Sequence, residues 1–306
     1  MAFLTQPPPL RQGDRVRLVA ASSALSAESL DRLAAGVALL TQWGLVVESF
    51  ELPQRRWGYL AGPDHQRAAD LQLPSDAPAD GMNAVRLWAC VRGGWGAARL
   101  LEIPDLALGA GWLLGFSDVT TLLWARLAQG RGGAVHGPML TSLAGEPPWS
   151  QERLRRLLFG EPLEALTGEG WQGGVAEGPL VVANLTVATH LLATPYLPDL
   201  RGAILVLEDV GEAPYRLDRL LTHWRLTGLL QQLAGLGLGR FEACDDPEGE
   251  GFSSAEVLRE RTADLGIPVV AALPVGHGGG GNAALPLGVR ACLDAVAGRL
   301  SLAEPA

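Results

Sequence analysis

The chain has 306 residues, a formal net charge of −9, 48% apolar and 19% charged residues, which is the profile of a folded globular protein long enough for two cores. The acidic balance works against a broad phosphate-binding surface, so nucleic acid is not an expected partner. All 24 basic residues are arginine, which removes Schiff-base lysines, P-loops and Ser-Lys dyads from consideration.

Cys90, Cys244 and Cys292 are odd in number, widely spaced and form no CxxC pair. Neither a disulfide framework nor a zinc site is suggested, and each reads as a small buried hydrophobe. Residues 1–17 include Pro7, Pro8 and Pro9 where a signal peptide needs an unbroken apolar core. No run approaches the roughly 18 apolar residues that span a bilayer. The expectation is a cytoplasmic protein without a membrane partner.

In chain order, 15–21 (RVRLVAA) predicts a short buried strand, 30–43 a helix by its apolar spacing, and 45–50 a second strand. Residues 84–91 (AVRLWACV) predict a third strand running into the turn Gly93-Gly94-Trp95-Gly96 and a helix over 97–102. Residues 112–116 predict a fourth strand, followed by a helix over about 118–128. Alternating strands and helices indicate an α/β unit with a parallel sheet over 1–145. Residues 146–177, punctuated by Pro and Gly and holding one helix at 152–159, read as a linker. A smaller α/β unit over 178–306 follows. It has a helix at 185–192, a strand at 203–207, a helix at 215–230 behind Pro214, and strands at 237–243 and 268–272. The acidic stretch 245–252 lacks EF-hand spacing and reads as a solvated loop.

Gly115-Phe116-Ser117-Asp118 follows a strand and opens a helix. Ser117 therefore occupies a sharp strand-to-helix turn of the kind that exposes a nucleophile beside free helix N–H donors. Val119 stands where the α/β-hydrolase pattern GxSxG requires glycine, and a plain helix N-cap at Ser117 or Asp118 is the competing reading. A serine needs a base. Of five histidines, His65 and His223 read as surface residues, His190 as packed on a helix face, and His136 as a candidate after a turn. His277 is preferred because it sits in a glycine-flanked loop beyond a buried strand. Glu208 and Asp209 end a buried strand, and period-two alternation lets only one of them reach that site.

Arg92-Gly93-Gly94-Trp95-Gly96, Gly115-Phe116-Ser117-Asp118-Val119-Thr120, His136-Gly137-Pro138, Leu207-Glu208-Asp209-Val210-Gly211-Glu212, Pro274-Val275-Gly276-His277 and Leu285-Pro286-Leu287-Gly288 stand in one order along the chain. In that order the sequence resembles the murein tetrapeptide LD-carboxypeptidase family over nearly its whole length. The resemblance implies a serine peptidase with Ser117, Glu208 and His277 as triad, and an oxyanion hole on the backbone N–H groups of Gly94 and Asp118. It also implies an N-terminal domain like class I glutamine amidotransferases, no metal or cofactor, a muropeptide substrate and a homodimer. Arg92 is a candidate for the substrate's terminal carboxylate. Val182-Ala183 stands where family members often have a glycine pair, and Ala21 where they often have proline. Microcin C immunity peptidases, which cut acyl-nucleotide conjugates, resemble the same pattern and supply an alternative substrate. A non-catalytic binding protein on the same scaffold is the rival of another class.

Overall fold

The computed structural model describes residues 2–48, 52, 55–72, 84–246 and 251–303. The first unit is built from β1 (Arg15–Val19), α1 (Ala27–Gln42), β2 (Val46–Val47), α2 (Asp64–Ala69), β3 (Val85–Cys90), α3 (Ala97–Leu100), β4 (Trp112–Gly115), α4 (Thr120–Ala128), β5 (Ala134–His136) and α5 (Leu140–Leu143). A 3-10 turn, Ser117–Val119, joins β4 to α4. The strands run in the order β5-β4-β3-β1-β2, all parallel. The central strands β3, β4 and β5 are short and buried on both faces, as a sheet covered by helices requires. The predicted elements of this unit are present with shifted ends. α1 begins three residues earlier than its apolar spacing suggests, because the Ser26 side chain caps it by accepting from the Ser29 N–H. Of the strand expected at 45–50, only 46–47 is extended and paired, while residues 49 and 50 lie outside the described residues.

Residues 146–177 hold α6 (Pro148–Leu158), β6 (Leu166–Thr167), β7 (Glu169–Gln172) and the start of β8 (Val175–Asn184). After them come α7 (Leu185–His190), β9 (Ile204–Val210), α8 (Pro214–Leu226), β10 (Gly235–Glu242), α9 (Ser254–Thr262), β11 (Val269–Ala271), β12 (Leu285–Pro286), β13 (Arg290–Asp294) and β14 (Arg299–Leu302). Eight strands form the second sheet in the order β6-β14-β13-β8-β9-β10-β11-β7, with a parallel centre from β8 to β11 and antiparallel flanks.

The chain crosses back at β12, which pairs antiparallel with β5 and so closes the first sheet with a strand from the far end of the sequence. The Trp124 indole of α4 donates to the Val182 carbonyl of β8 at 3.0 Å and stands edge-on to Trp224 of α8. One continuous apolar cluster runs from Val19 to Leu300 through both sheets. Among the described residues no helix is long and apolar enough to cross a membrane.

Candidate active site

The loops after β1, β3 and β4 meet at the carboxyl edge of the first sheet, where open α/β sheets place their sites. Ser117 is the first residue after β4 whose backbone turns, and its φ of 60° is a left-handed conformation that a non-glycine residue rarely adopts. Neither the Gly94 nor the Asp118 N–H donates to another protein group among the described residues. For Asp118 this follows from its place in the first turn of the 3-10 segment. Gly93 packs directly on the serine, since a Cβ there would stand 3.0 Å from both Cβ and Oγ of Ser117. Gly94, with φ 111°, turns the chain in a conformation reserved for glycine. A Cβ on it would collide with Ser23.

Buried polar groups hold this turn in place. Asp118 Oδ2 accepts from the Ser22 hydroxyl at 2.6 Å and the Ala97 N–H at 2.8 Å, tying the ends of β1 and α3 to the elbow. Burial pushes the Asp118 carboxyl above the ordinary range. Ser23 Oγ accepts from the Trp95 N–H at 3.1 Å, and Arg92 Nη1 donates to the Ala24 carbonyl at 3.0 Å. Arg92 thus braces the glycine turn, and among the described residues it forms no ion pair.

Glu208 is fully buried in β9 and pairs in register with Asn184 of β8. Its Oε2 accepts twice from His277, at 2.7 Å from Nδ1 and 3.1 Å from the backbone N–H. Two glycines make room for it. A Cβ on Gly276 would lie 2.5 Å from the Glu208 Cβ and Oε2, and one on Gly239 would lie 3.2 Å from its Cβ. Burial opposes ionisation of Glu208, but the His277 hydrogen bond and the neighbouring imidazole charges win, and its carboxyl titrates below the usual range. Burial disfavours the His277 imidazolium, yet the bond to Glu208 outweighs it and raises the histidine above its ordinary value.

Asp209 points to the other side of the strand, as period-two alternation requires. It is buried rather than exposed, because it accepts from Asn184 Nδ2 at 2.9 Å and from the N–H and hydroxyl of Thr186 at 2.9 and 2.8 Å. These contacts fix the start of α7.

The His277 loop is braced from outside. Arg240 Nε donates to the His277 carbonyl at 3.2 Å, and its Nη2 reaches the Gly281 carbonyl. The Gly276 N–H donates to Asn282 Oδ1 at 2.8 Å, and the Asn282 N–H to Glu146 Oε2 at 2.7 Å. The single Ser150 hydroxyl proton lies between that carboxylate and the Asn282 carbonyl, with Oγ 2.8 and 2.9 Å from the two acceptors. Sequence reasoning missed Gly93, Gly239, Arg240, Glu146 and Asn282. The glycine-flanked loop around His277 was legible in the sequence, but not the distant side chains that support it.

The two halves of the candidate triad meet across Phe116, whose ring lies 4.7 Å from the His277 ring centroid. Ser117 follows it directly. The Ser117 hydroxyl makes no hydrogen bond with His277 here, and such contacts commonly tighten only when substrate is bound. His136 does not follow a turn but lies in β5, fully buried, with its ring 5.7 Å from that of Phe116. His190 is not packed on a helix face. It ends α7 exposed, edge-on to Trp95 at 6.3 Å, because the helix is only six residues long and its last turn overhangs the glycine turn.

A family model described as LD-carboxypeptidase N-terminal domain matches residues 16–137, and one described as LD-carboxypeptidase C-terminal domain matches 177–293. A Synechocystis protein is 49% identical over 301 residues, covering 97% of this chain and 96% of its own length. The murein tetrapeptide carboxypeptidase of Pseudomonas aeruginosa is 35% identical over 302 residues, covering 92% and 93%. Among solved structures, a muramoyltetrapeptide carboxypeptidase from Oxalobacter formigenes superposes with a TM-score of 0.80 at 26% identity, covering 94% and 97%. The microcin C7 self-immunity protein MccF, solved with glutamyl sulfamoyl guanosine, superposes at 0.82 with 21% identity, covering 98% of both chains, which speaks for the fold alone. With both halves of the chain matched in order and whole-length relatives at this identity, the protein belongs to the LD-carboxypeptidase family.

Proposed function

We propose that the protein is a serine-type carboxypeptidase that releases the terminal D-alanine of murein tetrapeptides by cutting its amide bond to the L-centre of the preceding diamino acid. The observation that supports this most is the buried Glu208 gripping His277 twice, one aromatic ring away from a serine held at φ 60°. In this reading Glu208 fixes the Nδ1–H tautomer, leaving Nε2 to take the Ser117 proton as Oγ attacks the scissile carbonyl. The N–H groups of Gly94 and Asp118 receive the oxyanion, where each donor is worth roughly a hundred- to a thousandfold in rate. The imidazolium, stabilised by ionised Glu208, protonates the departing D-alanine nitrogen and closes the first half-reaction as an acyl-enzyme. Water, deprotonated by the same histidine, then frees the serine.

The Pseudomonas aeruginosa relative favours the murein substrate, being more similar than the Escherichia coli microcin C7 self-immunity protein, at 23% identity over 333 residues. Cleavage of acyl-nucleotide conjugates remains the second reading, with the same residues in the same roles. The proposal includes a cytoplasmic homodimer acting in murein recycling without metal or cofactor. It also includes kinship of the first domain to class I glutamine amidotransferases.

A carboxypeptidase must read a free carboxylate, and Arg92 beside the glycine turn is the proposed contact. Amidating the terminal D-alanine, or replacing it by L-alanine, is therefore expected to lower kcat/KM sharply in a tetrapeptide assay. Equal turnover of free and amidated peptides would remove the carboxypeptidase reading and leave a general serine amidase.

A further inference from the structure

Two groups at the centre of the site have unmet hydrogen-bonding capacity. Among the described residues both ring nitrogens of His136 are buried without a partner, and so is Oε1 of Glu208, whose other oxygen takes both bonds to His277. A neutral imidazole carries one N–H donor and one acceptor, and a buried donor or carboxylate oxygen left alone is costly. The groups are neighbours, since the Phe116 ring packs against the imidazoles of both His136 and His277. The charge of Glu208 is felt at His136. His136 is held there by its strand, in register with Gly115 on one side and Leu285 on the other.

We infer that His136 is a positioning residue, whose ring N–H satisfies Glu208 Oε1 through one bridging water, and so fixes the carboxylate that orients His277. The role suits a neutral ring. Burial drives His136 down to about 4, so above that pH it stays an uncharged donor while Glu208 carries the charge. Carboxylate stabilisation from the Oε1 side weakens the hold of Glu208 on the His277 proton. Without it the imidazolium is held harder, and neutral His277, the active base, appears only at higher pH. Among the described residues, the other charged groups that act on this pair and its brace are Asp209 of β9, Arg240 and Glu242 of β10, and Glu146 ahead of α6. Those are unchanged in the variants used to test the assignment.

The inference rests on His277 being the base, and its test separates the two. His136→Gln keeps an N–H donor and His136→Leu does not. With the tetrapeptide substrate, His136→Leu is expected to lower kcat about ten- to a hundredfold at unchanged KM. The acid limb of kcat/KM should move up by about half a pH unit or more, while His136→Gln stays near the parent. Identical limbs and rates for both variants mean that the ring only fills space, and overturn the assignment. Nitrogen-15 spectra of the histidine rings need no substrate and keep the test alive should either variant misfold. The parent is expected to show His136 as one neutral tautomer, with ring shifts that move in Glu208→Gln. Shifts indifferent to that change overturn the assignment even if His277 proves to be the base.

Discussion

Glu208 and Asp209 are adjacent carboxylates, both buried in one strand, yet their surroundings give them different work. Among the described residues Glu208 hydrogen-bonds directly to His277 alone, and its carboxyl titrates below the usual range. Asp209 is surrounded by donors from Asn184 and Thr186 at the start of α7 and from the N–H of Val210 in its own strand. Glu208→Gln is expected to leave the melting temperature near the parent's and reduce kcat by about a thousandfold or more, since a neutral amide neither stabilises the imidazolium nor holds its tautomer. Asp209→Asn puts an amide NH2 or a weaker acceptor against those donors. It is expected to cost about 1–3 kcal/mol of stability with a far smaller effect on kcat. Thermal melts beside steady-state rates check both, and a kinetic loss in Asp209→Asn larger than that in Glu208→Gln would reverse the assignment. In the sequence, parity showed only that one of the two could reach the site, and the family resemblance pointed to Glu208. The strand extends to Val210, so both side chains are buried and exposure could not decide between them.

At the scale of elements, the loop carrying His277 depends on the space that glycine leaves. Gly276 combines φ 99° with a missing Cβ whose place would lie 2.5 Å from the Glu208 carboxylate. Gly276→Ala is therefore expected to push Glu208 away from His277 and cut kcat/KM by at least a hundredfold. Gly279→Ala, three residues along, meets nothing within 4 Å and serves as control. Comparable losses in the two variants would mean that loop stiffness matters rather than room for Glu208. The sequence showed where this loop begins, because Pro274 and Gly276 end a buried apolar run, but not what it packs against. Elements with strong local signals were read well, such as β3, β4 and α4. Others were passed over for identifiable reasons. α9 was missed although Ser253 and Glu256 form a capping box, because the acidic residues ahead of it suggested solvent. β13 and β14 were missed because each is only five or four residues long, and their pairing with β8 and β6 fixes them from a distance.

Across the whole molecule, the proposed nucleophile comes from the first sheet, and its acid and base from the second. Their relative placement is set by long-range contacts that no local pattern announces. β12 pairs with β5, Trp124 donates into β8, Tyr196 donates to the Leu101 carbonyl at 2.7 Å, and Glu146 reaches the loop after His277. Because one apolar cluster unites the sheets, unfolding is expected as a single cooperative transition, with near- and far-ultraviolet circular dichroism melting together. Two resolved transitions would show that the sheets are separable units whose site assembles by docking. The central proposal is that Ser117 acts with Glu208 and His277 on a peptide ending in D-alanine. The measurement that tests this most directly is the rate of D-alanine release from a murein tetrapeptide by the parent and by Ser117→Ala. The account predicts steady release by the parent and a loss of about a thousandfold or more in the variant at an unchanged melting temperature. No release by the folded parent, or undiminished release by Ser117→Ala, would contradict it.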